Sequence, residues 1–175
     1  VKIRRSRDPD RSSARVIRIP VVTGLLGTVV VVLAVFVAVV GVSVWRAEAR
    51  EDERAKAAQS ARQTAINLAS LDYRTIDKGL QQVMNGLTGE AKEQWATMSK
   101  DVRQSAEKAK STSSVQDVRA GVVSMDDDSA EVIVSVSAVT TSPSVKEGQP
   151  RYYRWRFDLT RTDGRWLVSN MRLVA

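Results

Sequence analysis

Residues 151–170 read RYYRWRFDLTRTDGRWLVSN, and the alternation within them decides the fold. Side chains of an extended strand point alternately to its two faces, so Tyr153, Trp155, Phe157 and Leu159 fall on one side and Tyr152, Arg154, Arg156 and Asp158 on the other. The first face predicts core. Asp163-Gly164 then reverses the chain, since glycine accepts a positive φ without steric cost, and Arg165-Trp166-Leu167-Val168 begins a final strand.

Working outward, VQDVRAGVVSM (115–125) and SAEVIVSVSAVT (129–140) are two further strands joined by Asp126-Asp127-Asp128. Ala130, Val132, Val134, Val136 and Ala138 alternate cleanly. The three aspartates suggest calcium, but no spaced ligands follow and no bidentate Glu closes a loop, so a solvated hairpin turn is the better reading. Thr141 to Pro150 is expected to be a longer connection, because it holds Pro143, Gly148 and Pro150.

Before the strands the hydrophobic period becomes helical. Ile76, Leu80, Val83, Met84 and Leu87 form one stripe, and Ala91, Trp95, Met98 and Val102 form another after a break at Gly86 and Thr88-Gly89. Thr88 is placed to cap the second helix and Asp72 the first, and Trp95 is read as packing. Helices followed by a four-strand meander give an α+β domain, expected over residues 70–175, in which a curved sheet wraps the helices. About 105 residues suffice for a core of their own.

Residues 46–69 (RAEAREDERAKAAQSARQTAINLA) are Ala, Glu, Arg and Lys rich without Gly or Pro, and are expected to form a helical stalk, solvated to about residue 62. Ahead of them, residues 21–44 (VVTGLLGTVVVVLAVFVAVVGVSV) hold 24 residues without a charge. As a helix this run rises about 36 Å at about 1.5 Å per residue, enough to cross a hydrocarbon layer of about 30 Å. Its length and the helix-forming residues behind it favour an uncleaved anchor over 20–45, rather than a secretory signal. Residues 1–19 carry seven basic side chains against two acidic ones, so this tail is expected in the cytoplasm and everything after the span outside the inner (plasma) membrane. Most of the net charge of +7 is therefore topological, and the tail lacks the basic and aromatic interleaving that nucleic acid would favour.

Gly24, Gly27, Val31, Ala34, Ala38 and Gly41 recur at alternating spacings of 3 and 4 within the span. Small residues allow close helix approach in lipid, so this seam is a candidate contact with another transmembrane helix. Arg154 and Arg156 are candidates for an anionic ligand or acidic partner, against the alternative of a solvated sheet face.

Reactive chemistry is sparse. The sequence has no His and no Cys, which removes the usual general base, the thiolate nucleophile and most transition-metal ligands. No Gly-x-Ser-x-Gly elbow or glycine-rich phosphate loop occurs. Asp72 with Asp77, and Asp126 to Asp128, are the carboxylates available for acid and base work, and they lack partners of the usual kinds. A non-catalytic role without catalytic residues, cofactor or metal is expected.

A basic tail, single span and charged stalk precede LDYRTIDKGLQQVMNGLTGEAKEQW, then VRAGVVSMDDDSAEVIVSV and a closing DGRWLVSNM. In that order they resemble the actinobacterial Mce-associated membrane proteins over most of residues 20–174. In that family an aromatic often follows the Thr-Gly pair after one more residue. Here Ala91 stands in that place, with Trp95 one turn on. The resemblance implies an extracytoplasmic domain like the cone of nuclear transport factor 2 (NTF2) and the VirB8-type assembly proteins. It also implies an accessory, scaffolding subunit of an Mce lipid-import complex, with Mce proteins and permease subunits as partners. Two alternatives accompany it: a VirB8-like scaffold of a secretion or conjugation machine, and a module binding lipid in the hollow of the cone.

Overall fold

The computed structural model describes residues 18–174, and ahead of residue 49 it describes side chains only at 31–33 and 35–38. The basic tail up to residue 17 lies outside the described residues. Helix α1 runs Arg18–Ala69, followed by a 3-10 turn at Tyr73–Thr75, α2 (Ile76–Asn85) and α3 (Gly89–Ala109). Four strands complete the chain: β1 (Thr112–Met125), β2 (Ser129–Ser142), β3 (Val145–Thr162) and β4 (Arg165–Leu173).

Two compact units divide the chain, the first ending at Ala49 and the second starting at Arg50. In the first, the expected span lies within α1. Val31, Val32, Leu33, Val35, Phe36 and Val37 are exposed there, at 57% to 67%. Among the described residues no helix is long and apolar enough to cross a membrane, and most side chains of the 21–44 run lie outside those residues.

In the second unit the sheet is an antiparallel meander of order β1-β2-β3-β4. The alternation predicts its core face: Ala130, Val132, Val134, Val136 and Ala138 of β2 are buried, opposite Val118 on one side and Phe157 and Leu159 on the other. Tyr153 and Trp155 extend this face as a stacked pair 4.9 Å apart. Asp163 and Gly164 both take positive φ, 51° and 75°, matching a two-residue hairpin whose turn follows the sheet twist. The connection expected over 141–150 is much shorter. Pro143 and Ser144 make a tight turn and β3 begins at Val145, with a register shift absorbing the extra residues opposite Thr141. Pro150 thus sits inside a strand, which sequence composition argues against.

Helix α2 buries Ile76, Leu80 and Val83, and α3 buries Ala91 and Trp95, whose indole Nε1 donates to Leu80 O at 3.2 Å. Met98 differs from expectation: it lies at the margin of the α3 stripe and is 53% exposed. Asp72 caps the 3-10 turn, accepting from Arg74 N–H at 2.8 Å. Thr88 occupies the cap position of α3 in extended geometry but makes no side-chain cap bond. Its backbone pairs with β4 instead: Thr88 N–H donates to Val168 O at 2.8 Å and Val168 N–H to Gly86 O at 2.9 Å. The helix break therefore covers part of the sheet margin. Gly86 is also required by space, since a Cβ there would lie 2.6 Å from Oγ1 of the buried Thr64.

The expected stalk is corrected by the packing. Ala57, Ala61 and Ala65 are fully buried, Ala69 nearly so, and all belong to the same apolar cluster as Val132, Val134 and Phe157. Spaced by four residues, they form one face of α1, and the small methyl side chain lets the helix approach closely. Polar residues beside the stripe fasten it. Trp166 Nε1 donates to Glu53 Oε2 at 2.9 Å, Ser60 Oγ donates to Trp166 O at 2.5 Å, and Arg62 donates to Val118 O at 2.9 Å. The folded head consequently includes residues expected to stand in solvent.

Two outcomes follow from this docking. Ala61→Leu forces extra methylenes into a filled interface, so chemical unfolding should report a loss of about 1–3 kcal/mol, whereas a solvated stalk would tolerate the change. Glu53 is held below the usual carboxylate range by hydrogen bonds from Lys56 and Trp166, with Arg161 adding a favourable charge. A carboxylate with a depressed folded pKa stabilises the fold above its unfolded value and loses that contribution as pH falls. Thermal melts from about pH 6 down to about pH 3 should therefore fall less steeply for Glu53→Gln than for the parent chain.

Candidate interaction surfaces

The residues singled out in the sequence do not converge on one site. Of the small-residue seam, Val31 and Ala38 are exposed, while the surroundings of Gly24, Gly27, Ala34 and Gly41 lie outside what is described. Arg154 and Arg156 share the outward face of β3 as expected, but their situations differ. Arg156 is engaged by Glu131 on the neighbouring strand, Nε to Oε1 at 3.0 Å, an ion pair whose two atoms are out of water and not aligned as a hydrogen bond. Arg154 is exposed and has no carboxylate pair among the described residues. Farther along the face Arg172 pairs with Asp158 at 3.1 Å. Alternating charge on this surface is thus largely self-neutralised.

Of the carboxylates considered for catalysis, Asp72 and Asp77 are likewise committed. Asp72 is lowered from the ordinary carboxylate range by its hydrogen bonds from Arg74, side chain first and backbone second. Asp77 pairs with Arg103 across α2 and α3. The two aspartates serve different arginines and do not form an acid-base couple. Asp126 to Asp128 form the β1–β2 turn, closed by Asp126 N–H donating to Ser129 O at 2.8 Å.

One surface escaped the sequence reading. Between the second half of α1, α2 and the β3–β4 hairpin runs an open groove of about 800 Å³. Gln59, Gln63 and Asn67 line it from α1 at successive turns, and Gln82 and Asn85 face them from α2. Thr64, Gly86 and Trp166 also contribute, and Lys56 and Arg165 are the charged members. Gln63 donates to Asn67 Oδ1 at 3.0 Å, and Asn67 reaches Gln82 O at 3.4 Å. Gln59 and Gln82 have no side-chain hydrogen-bond partner among the described residues. The sequence does contain a signal, carboxamides at positions 59, 63 and 67, but it acquires meaning only once Ala57, Ala61 and Ala65 fix which face of α1 is buried.

Comparison with known structures places this fold. The chain is similar to the periplasmic domain of DotI, with TM-score 0.57, 16% identity, 67% of this chain and 91% of that one covered. It is similar too to an IcmL-like type IV secretion system protein from Legionella pneumophila, with TM-score 0.57, 14% identity and coverages of 69% and 91%. These likenesses show a shared α+β fold, helices packed on a four-strand antiparallel sheet. A Mycobacterium tuberculosis (strain ATCC 25618 / H37Rv) protein described as uncharacterized protein Rv1363c is 26% identical over 152 residues, covering 85% of this chain. The alignment spans 58% of that relative's length. The family model described as uncharacterized protein Rv1363c/MT1408-like matches residues 21–175, and the chain belongs to that family.

Proposed function

We propose that this chain is a single-pass, non-catalytic assembly subunit that holds an NTF2-like head on the extracytoplasmic side of the inner membrane, and that it serves an Mce-type lipid-import complex. The uncharged run 21–44 carries the proposal. A helix that is apolar all round is stable only in a large core or in lipid, and six large apolar side chains between Val31 and Val37 are exposed. The basic tail before it orients the span. The likeness to a domain described as periplasmic favours the same side of the membrane for this head. Its core face is filled by Val132, Val134, Phe157 and Leu159, all at most 1% exposed, which favours a packed scaffold over a lipid carrier.

The Mce assignment rests on the ordered sequence resemblance. A second reading, a scaffold of a secretion or conjugation machine, draws on the shared fold with the DotI and IcmL-like domains. Partner identity separates the two. The tagged chain, purified from its native membrane in mild detergent, is expected to enrich Mce proteins and permease subunits in quantitative mass spectrometry. Enrichment of secretion or conjugation components instead would favour the second reading, and enrichment of neither would refute both. Protease added to intact spheroplasts should digest the head and spare the tail.

A further inference from the structure

We propose that the carboxamide-lined groove between α1, α2 and the β3–β4 hairpin is a docking site for an extended polypeptide segment of a partner subunit, one bearing a carboxylate beside Arg165. The inference deepens the reading as an assembly subunit and rests on it.

The lining is unusual for exposed helix surface. The chain carries 20 acidic side chains, yet none lines the groove. Five carboxamides do, and interface cores are depleted in charge in this way. Each carboxamide offers both a donor and an acceptor, so a row of them on two facing helices can satisfy the N–H and C=O groups that an extended chain presents on both sides. Gln59 and Gln82, without side-chain partners among the described residues, are available for this on opposite walls.

The competing occupants fit less well. A docked helix satisfies its own backbone and would leave the carboxamides without backbone groups to pair. Small-molecule sites use a small number of polar groups, fewer than the five carboxamides present here. At the hairpin end Lys56 is held by Glu53 at 2.7 Å, whereas Arg165 is exposed and has no carboxylate pair among the described residues. Charge complementarity therefore places an acidic side chain of the docked segment there.

The test uses the full chain in its native membrane, with a photo-crosslinking amino acid introduced singly at Gln63, Asn85 or, as a control on exposed α3, Gln94. Adduct peptides are then sequenced. Expected are adducts from Gln63 and Asn85 to one common segment of one partner subunit, containing Asp or Glu, and absent from Gln94. Arg165→Glu should reduce their yield about fivefold, as befits one exposed charge contact. Adducts to lipid, to a second copy of this chain, or equally from Gln94 would overturn the proposal. So would no adduct from the groove while the complex still copurifies, an outcome that leaves the assembly reading intact. If no complex copurifies, the assembly reading fails first and the docking site with it.

Discussion

Close contact between an alanine stripe on α1 and the core of the sheet is the constraint from which the rest of the head follows. Ala57, Ala61, Ala65 and Ala69 bring a helix with almost no side-chain volume on that face into a cluster otherwise dominated by Val, Leu, Ile, Phe and Trp. Methyl groups contribute little burial each, so the contact gains from backbone proximity and from polar fastenings at its margin. Trp166 joins these contributions: it is 4% exposed, its indole meets Glu53 and its carbonyl meets Ser60. Placing Thr64 against Gly86 then fixes where α2 must end and where the backbone can turn to meet Val168.

The sheet was legible because its signal is redundant. Period-two alternation in β2 and β3 assigns each residue to a face, and Asp163-Gly164 fixes the register of the last pair, so one error would have conflicted with its neighbours. The alanine stripe was not legible for the opposite reason. Alanine is the best helix former and carries no strong preference for water or core, so a run such as RAKAAQSARQTA fits a solvated rod and a tightly packed helix equally well. Only the sheet supplies the missing partner. The long connection over 141–150 failed similarly, because Pro and Gly mark turns statistically, while here Pro143 and Ser144 turn the chain and Pro150 rides within the strand.

The outward charges teach a related lesson about function. Arg154 and Arg156 look equivalent in sequence, one strand period apart, yet cross-strand neighbours separate them. Glu131 lies diagonally across from Arg156 and takes it out of circulation, whereas Arg154 faces Ser135, which has no charge to offer. A charge becomes available to a partner only after its neighbours in three dimensions are counted. By the same rule, the neutral carboxamides on α1, unremarkable one by one, become a surface when α2 brings two more against them.

How the head can associate is narrowed further by the length of β3. Its 18 residues outrun the 9 of β4, so among the described residues the stretch before Arg154 has no strand beside it on that side. Val174 N–H donates to Arg154 O, and the alternation of antiparallel pairing then directs the backbone groups of Tyr152 and Pro150 to the same vacant margin. Pro150 has no N–H to give, and Lys146, Glu147 and Arg151 surround it with charge. Natural sheets block strand addition by these devices. Pro150 is thus tolerated inside β3 because the position facing the vacant margin makes no ladder bond, and its presence there turns that margin from a template into a barrier. This stretch of β3 is thereby guarded against strand addition, and the groove beside Trp166 presents side chains, most of them uncharged, instead of open backbone.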